Sequence, residues 1–281
     1  MPKLLIAGAG YLGLALAESL RGSDTKCYLA RRSPLEVEGC ITVACDFTDP
    51  STLVQLPMVE SIYYAVAADS RSEEAYEKAY FIGLQNLIHH YQQRGLAPRF
   101  YLSSTTSVYA ASNGERVSEN ERNLVSATPS RHMVRGEQLL LQSGFQGAIL
   151  RYGGIYGPER TGMLRRVRDK LEVLAPNAPQ YTNRIHRDDA VGIAKFLMGK
   201  PTDGMMILNA VDQEASLRDD VIRYVLKALQ MKEDDYPFDL TQVSASHKRV
   251  DSTKLQSLGY RYIFPSYREG YASLLQLVKE S

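Results

Sequence analysis

The chain has 281 residues, 44% hydrophobic and 23% charged, with 20 Gly and 12 Pro. That length fits one large domain or two small ones, and the composition excludes disordered, collagen-like and low-complexity architectures. A net charge of +1 lacks the basic excess of a dedicated nucleic-acid binder, so no nucleic-acid partner is expected.

The run Leu4–Ala7 predicts a strand that stops at Gly8, and Leu12, Leu16 and Leu20 space the helix Tyr11–Leu20 that follows. Lys3 and the apolar stretch to Ala17 also resemble a signal peptide, but Gly8, Gly10 and Gly13 interrupt it. Strands are predicted over Cys27–Ala30, Ile41–Ala44 and Ile62–Val66. Cys27, Cys40 and Cys45 form no Cys-x-x-Cys pair, so no metal site is expected, and the thiols are read as reduced in a cytoplasmic protein. A long helix, Glu73–Arg94, stops at Gly95; a strand at Arg99–Ser103, a helix at Arg131–Gln142 and a strand at Ala148–Arg151 follow. Short apolar strands alternating with helices predict an α/β fold, a doubly wound parallel sheet covered on both faces.

After Gly157-Pro158 the alternation loosens. Helices are predicted over Met163–Leu174, over Ala190–Met198 with Asp188 and Asp189 as caps, over Val221–Leu229 with a Ser216/Asp219 capping box, and over Arg268–Val278. Met205–Leu208 reads as a strand. The expected division is a nucleotide-binding domain over 1–158 and a small C-terminal α/β substrate lobe over 159–281, with 184–210 returning to the first domain. No stretch reaches membrane-spanning length, so no membrane partner is expected.

Gly8-Ala9-Gly10-Tyr11-Leu12-Gly13 fits Gly-x-Gly-x-x-Gly between a strand and a helix. In that setting Gly8 permits the tight turn, Gly10 lets the backbone approach a pyrophosphate, Gly13 permits close helix–strand packing, and the helix N-terminus attracts the phosphates. An acid at the end of the second strand would bind ribose hydroxyls, but the window reads Leu29-Ala30-Arg31-Arg32-Ser33-Pro34. Two guanidiniums point to the 2′-phosphate of NADP ahead of NAD; a solvated basic loop is the plainer alternative. Asp46 either accepts from an adenine amino group or caps the helix that Pro50 opens.

With these motifs the chain resembles the extended branch of the short-chain dehydrogenase/reductase superfamily, the NAD(P)-dependent epimerase/dehydratase family with its Rossmann sheet. Cys45-Asp46-Phe47-Thr48-Asp49 is similar to its adenine loop, and Ile62–Ala68 to its fourth strand. Ser103–Tyr109 resembles the Ser-Ser-x-x-Val-Tyr segment, Leu150–Pro158 the Leu-Arg-x-x-x-x-Tyr-Gly-Pro segment, and Ile185–Asp189 the late His-x-x-Asp turn. The resemblance implies cofactor contacts at Gly8, Gly10, Tyr11, Leu12, Gly13, Arg31, Arg32, Asp46, Phe47, Val66 and Ala67. It places the family's Ser/Thr role on Thr105, which either polarises a carbonyl or satisfies a strand end.

The family's Tyr-x-x-x-Lys is missing. One register puts Pro129 and Met133 in its place, the other Ser130 and Val134, so neither supplies a phenol and an ammonium. Replacement catalytic candidates are His132 in that segment and Tyr80 on the long helix. Tyr109, Tyr156, Arg160 and His186 are candidate substrate contacts. Thr182 replaces the diphosphate-binding Arg of nucleotide-sugar members, while Arg160, after the Tyr-Gly-Pro turn, leaves a small anionic or sugar-like substrate open; Arg165, Arg166 and Arg168 read rather as a solvated helix face. The expectation is an NADP-binding oxidoreductase or epimerase-like enzyme with a substituted acid/base; the alternative is a non-catalytic NADP-binding sensor or regulator. Family members dimerise through a contact that includes the long helix, so a homodimer is also an expectation.

Overall fold

The computed structural model describes residues 1–33, 35–201, 203–243 and 247–280; Pro34, at the end of the arginine window, lies outside the described residues. The chain forms two compact units. The first comprises 1–108, 124–151 and 191–208, and the second 109–123, 152–190 and 209–281.

The first unit holds a seven-stranded parallel sheet. Its strands include β1 (Lys3–Ala7), β2 (Lys26–Arg31), β3 (Cys40–Ala44), β4 (Ser61–Tyr64) and β5 (Arg99–Thr105). The order across the sheet is Met205–Ala210, Gly147–Tyr152, β5, β4, β1, β2, β3. β1 is thus flanked by β2 and β4, and the strand order reverses beside it. Leu5, Ile62, Phe100 and Ile149 are fully buried under Leu84, Leu87 and Ile88, which explains why these strands read as continuous apolar runs.

α1 spans Tyr11–Ser19. The long helix is α2 (Glu73–Glu77), a π-helical turn over Lys78–Ile82, and α3 (Gly83–Gln93). At the widened turn the buried Tyr64 hydroxyl donates to the Ala79 carbonyl at 2.7 Å. α4 covers Arg131–Gln142 and approaches that turn at Gly136, where an added Cβ would lie 2.2 Å from the Tyr80 carbonyl oxygen.

The second unit packs Tyr156, Val167, Val221, Val225, Tyr267 and Tyr271 into its own core. Three expectations are corrected here. The helix near Met163 covers only Gly162–Arg168, because Lys170 turns left-handed (φ 55°) and the chain then pairs Leu174 with Pro237 and Asp239. Ser216 and Asp219 form no capping box: the cap is Leu217, and the Asp219 carboxylate accepts from the Ala175 N–H at 2.9 Å. Asp188 and Asp189 lie inside the first turn of Arg187–Met198; Asp189 accepts from the N–H groups of Ile263 and Phe264 and from the Tyr260 hydroxyl, each at 2.8 Å.

Candidate functional site

The glycine turn sits at the carboxyl end of β1, where the strand order reverses and ligands bind in open α/β sheets. Gly8 has φ 102°, and its N–H donates to the Ala30 carbonyl at 2.9 Å. A Cβ there would lie 2.7 Å from the Val66 nitrogen, so the chain after β4 passes hard against it. At Gly13 a Cβ would stand 1.9 Å from the Gly8 carbonyl oxygen. Gly10 differs: its φ is −87°, and a Cβ there meets nothing within 4 Å. No contact within the fold requires glycine at position 10. α1 has no side-chain cap and no acid in its first turn, so its N–H groups and partial positive charge face the turn unneutralised.

A cavity of about 630 Å³ opens here, lined by Gly8 and Gly10, by Arg31 and Arg32 where β2 ends, by Asp46 and Phe47 after β3, and by Val66 and Ala67 after β4. Tyr11, Leu12 and Gly13 are not part of its wall; Leu12 is buried in the packing of α1. Asp46 is not the cap of the segment Pro50–Gln55, which is Asp49. The Asp46 carboxylate instead accepts from the Thr48 N–H at 2.9 Å and from its hydroxyl at 2.7 Å. Burial raises the Asp46 pKa, but the Thr48 bonds, with Arg32 and Lys78 nearby, bring it below the usual carboxylate range.

Wall residues absent from the sequence candidates include Thr48, Asp69, Glu74 and Lys78. Lys78 pairs with Glu74 at 2.6 Å and Asp69 with Arg32 at 2.8 Å. The i,i+4 spacing of Glu74 and Lys78 was a readable signal for the first pair; the second joins two loops and left none. Among the described residues no group of three or more His, Cys, Asp or Glu is arranged to hold a metal ion.

Thr105 ends β5, and its hydroxyl oxygen accepts from the Ser107 N–H at 3.2 Å. Accepting that bond leaves its own proton available for donation. Ser107 in turn meets Ser130, which one of the two sequence registers sets at the family's Tyr position, at 3.2 Å between hydroxyl oxygens. The Tyr80 hydroxyl accepts from the Ala68 N–H at 3.3 Å, which brings it to a loop of the cavity wall. His132 lies elsewhere, 2% exposed, with Nδ1 accepting from Arg135 at 3.1 Å and Nε2 3.5 Å from Glu73. Burial pushes its pKa down, against Glu77 and with Arg131 and Arg135.

Behind Thr105, Arg151 of the Leu-Arg segment forms a fully buried pair with Glu137, at 2.6 Å between Nη2 and Oε2 and 3.1 Å between Nε and Oε1. The Ser104 hydroxyl donates to the same carboxylate at 2.5 Å. This network ties β5, α4 and the strand Gly147–Tyr152 together.

In the second unit, Tyr156 and Arg160 line a cavity of about 530 Å³ that also presents Arg165, Arg166 and Arg184. Arg166 is paired with Glu172. Tyr109 is buried and donates to the Asn209 side chain at 2.7 Å. His186 is buried between Tyr156 and Phe264, and its Nδ1 accepts from the Asp188 N–H at 3.2 Å.

The protein resembles Protein YeeZ of Escherichia coli (strain K12), with 23% identity over 286 residues, 94% of this chain and 97% of that one. It superposes on a Methylobacillus flagellatus structure provisionally described as an NAD-dependent epimerase/dehydratase, with TM-score 0.83, 28% identity and 99% of each chain covered. A Thermotoga maritima UDP-glucose 4-epimerase with bound UDP-glucose shares the fold at TM-score 0.81 and 18% identity, over 100% of this chain and 99% of that one. The profile of the NAD dependent epimerase/dehydratase family matches residues 4–204, and the chain belongs to that family.

Proposed function

We propose that the protein is an NADP-binding oxidoreductase or epimerase-like enzyme of this family, acting on a small anionic or sugar-like substrate with a non-standard acid/base. One observation carries the coenzyme choice. Where β2 ends, the cavity that holds Gly8 and Gly10 is walled by Arg31 and Arg32 and by no carboxylate from that strand. Guanidinium forks match a 2′-phosphate, and the glycine turn with the start of α1 suits the paired phosphates.

When bound, the coenzyme would exchange a hydride with the substrate. This chain would supply the rest. The Thr105 hydroxyl, held from behind by the Ser107 N–H, would donate to a substrate oxygen. Tyr80, held by the Ala68 N–H, is the second candidate for moving a proton; burial pushes its pKa up, so it would act as an acid. His132 is a weaker candidate, since its ring is engaged with Arg135 and faces Glu73. In the second unit, Arg160, Arg165 and Arg184 line a cavity of their own, and guanidiniums suit an anionic ligand there.

The reading is tested by calorimetric titration with NADP and NAD, followed by assays of NADPH oxidation against carbonyl and sugar substrates. Turnover lost in Thr105→Ala supports it. A second reading, a non-catalytic NADP sensor, is favoured by the missing phenol–ammonium pair alone. NADPH binding with no turnover in any substrate panel would select it.

A further inference from the structure

Cys27 is the second residue of β2 and Cys40 the first of β3, and the parallel ladder sets them directly opposite one another. Neighbouring strands lie about 4.8 Å apart, within the span of about 4.4–6.8 Å between Cα atoms that a disulfide bridges. Their side chains share one face: the Cys40 thiol donates to the Cys27 sulfur at 2.6 Å. Cys27 is 3% exposed, whereas Cys40 is half-buried on the edge strand of the sheet. Cys45 is directed elsewhere, 3.7 Å from the Thr52 hydroxyl.

We propose that Cys27 and Cys40 are an oxidative modification site at which a peroxide-class oxidant installs a cross-strand disulfide. Cys40, the more accessible sulfur, attacks a peroxide oxygen as the thiolate. The O–O bond breaks, hydroxide leaves, and Cys40 becomes a sulfenic acid. The Cys27 sulfur then attacks the Cys40 sulfur, the S–O bond breaks, and water departs carrying the Cys27 proton. Two thiols lose two electrons and two protons in total, and the peroxide is reduced to two waters. Burial, reinforced by Cys40, pushes the Cys27 thiol up, so it stays protonated and leaves the first attack on peroxide to Cys40. The link closes the connection between β2 and β3 at its end away from the cavity, while Arg31 and Arg32 stand at the other end. It therefore stiffens the edge of the sheet and leaves the cavity wall in place, whatever the coenzyme.

The test treats the reduced full-length protein with hydrogen peroxide, alkylates it in denaturant, and maps the digest by mass spectrometry. The expected result is a peptide pair joined through Cys27 and Cys40, lighter by two hydrogens and split by dithiothreitol, with Cys45 alkylated. The cross-linked protein should melt about 5 °C higher than the reduced form. Cys40→Ser abolishes the pair, and Cys45→Ser leaves it. Full alkylation of Cys27 and Cys40 after peroxide overturns the proposal, as does a link that engages Cys45 or oxidation that stops at the Cys40 sulfenic acid. The wild-type peptide map decides the matter even where a serine variant fails to fold.

Discussion

Arg32 Nη2 lies 2.8 Å from Asp69 Oδ1, joining the loop after β2 to the loop after β4 at the cavity wall. Both side chains are more than half exposed, at 61% and 67%, so the pair adds little stability and can exchange partners. A 2′-phosphate would compete with Asp69 for the same guanidinium. Asp69→Asn should therefore tighten NADP binding about twofold to fivefold and leave NAD unchanged, within the ~1 kcal/mol range of exposed pairs. Parallel calorimetric titrations check this; equal gains for both coenzymes would contradict it.

Gly10 and Gly13 separate the needs of the ligand from those of the fold. Gly13→Ala forces a Cβ to 1.9 Å from the Gly8 oxygen and should cost about 1–3 kcal/mol in chemical denaturation. Gly10→Ala meets nothing within 4 Å, so it should melt like the parent while losing at least about tenfold in coenzyme affinity. A Gly10→Ala protein that unfolds early and binds normally would reverse the assignment.

Much of the cradle was legible because it is local. Gly8 to Gly13 and Arg31 to Ser33 are short runs whose backbone geometry and charge read directly from neighbours in the chain. Asp69 joined the wall only through tertiary placement, and the π turn at Lys78–Ile82 left no periodic signature in the apolar pattern of the long helix. The capping box failed for a similar reason: the Asp219 side chain serves Ala175, 44 residues away, in place of its own helix end. His132 reads as a titrating group from sequence alone, but the fold buries its ring beside two glutamates and two arginines.

Glu137 and Arg151 are each 2% exposed and bonded to one another. Glu137→Gln removes one charge and leaves the guanidinium buried, which should cost about 3–5 kcal/mol in denaturant unfolding. Glu137→Leu combined with Arg151→Met should recover most of that loss, because the buried charge is gone as well. A single variant as stable as the parent would show that the guanidinium is solvated in solution.

His186 predicts an acid-sensitive second unit. Burial lowers its pKa from 6.5 to about 4, with Asp188 opposing and Arg187 assisting. Between pH 6.5 and about 4 the unfolded chain takes up a proton that the folded chain refuses. Stability therefore falls as pH drops through that window, by up to about 3 kcal/mol from this group. His186→Asn, which keeps an acceptor for the Asp188 N–H, should show a shallower decline in Tm over the same range. Parallel slopes for the two proteins would contradict the assignment.

The most direct measurement is calorimetric titration of the unmodified protein with NADP and with NAD, repeated on Arg31→Ala/Arg32→Ala. NADP should bind at least about tenfold tighter than NAD, a preference of about 1.4 kcal/mol, erased in the double variant while NAD affinity is kept. Equal affinities in the parent protein, or no heat with either dinucleotide, would contradict it.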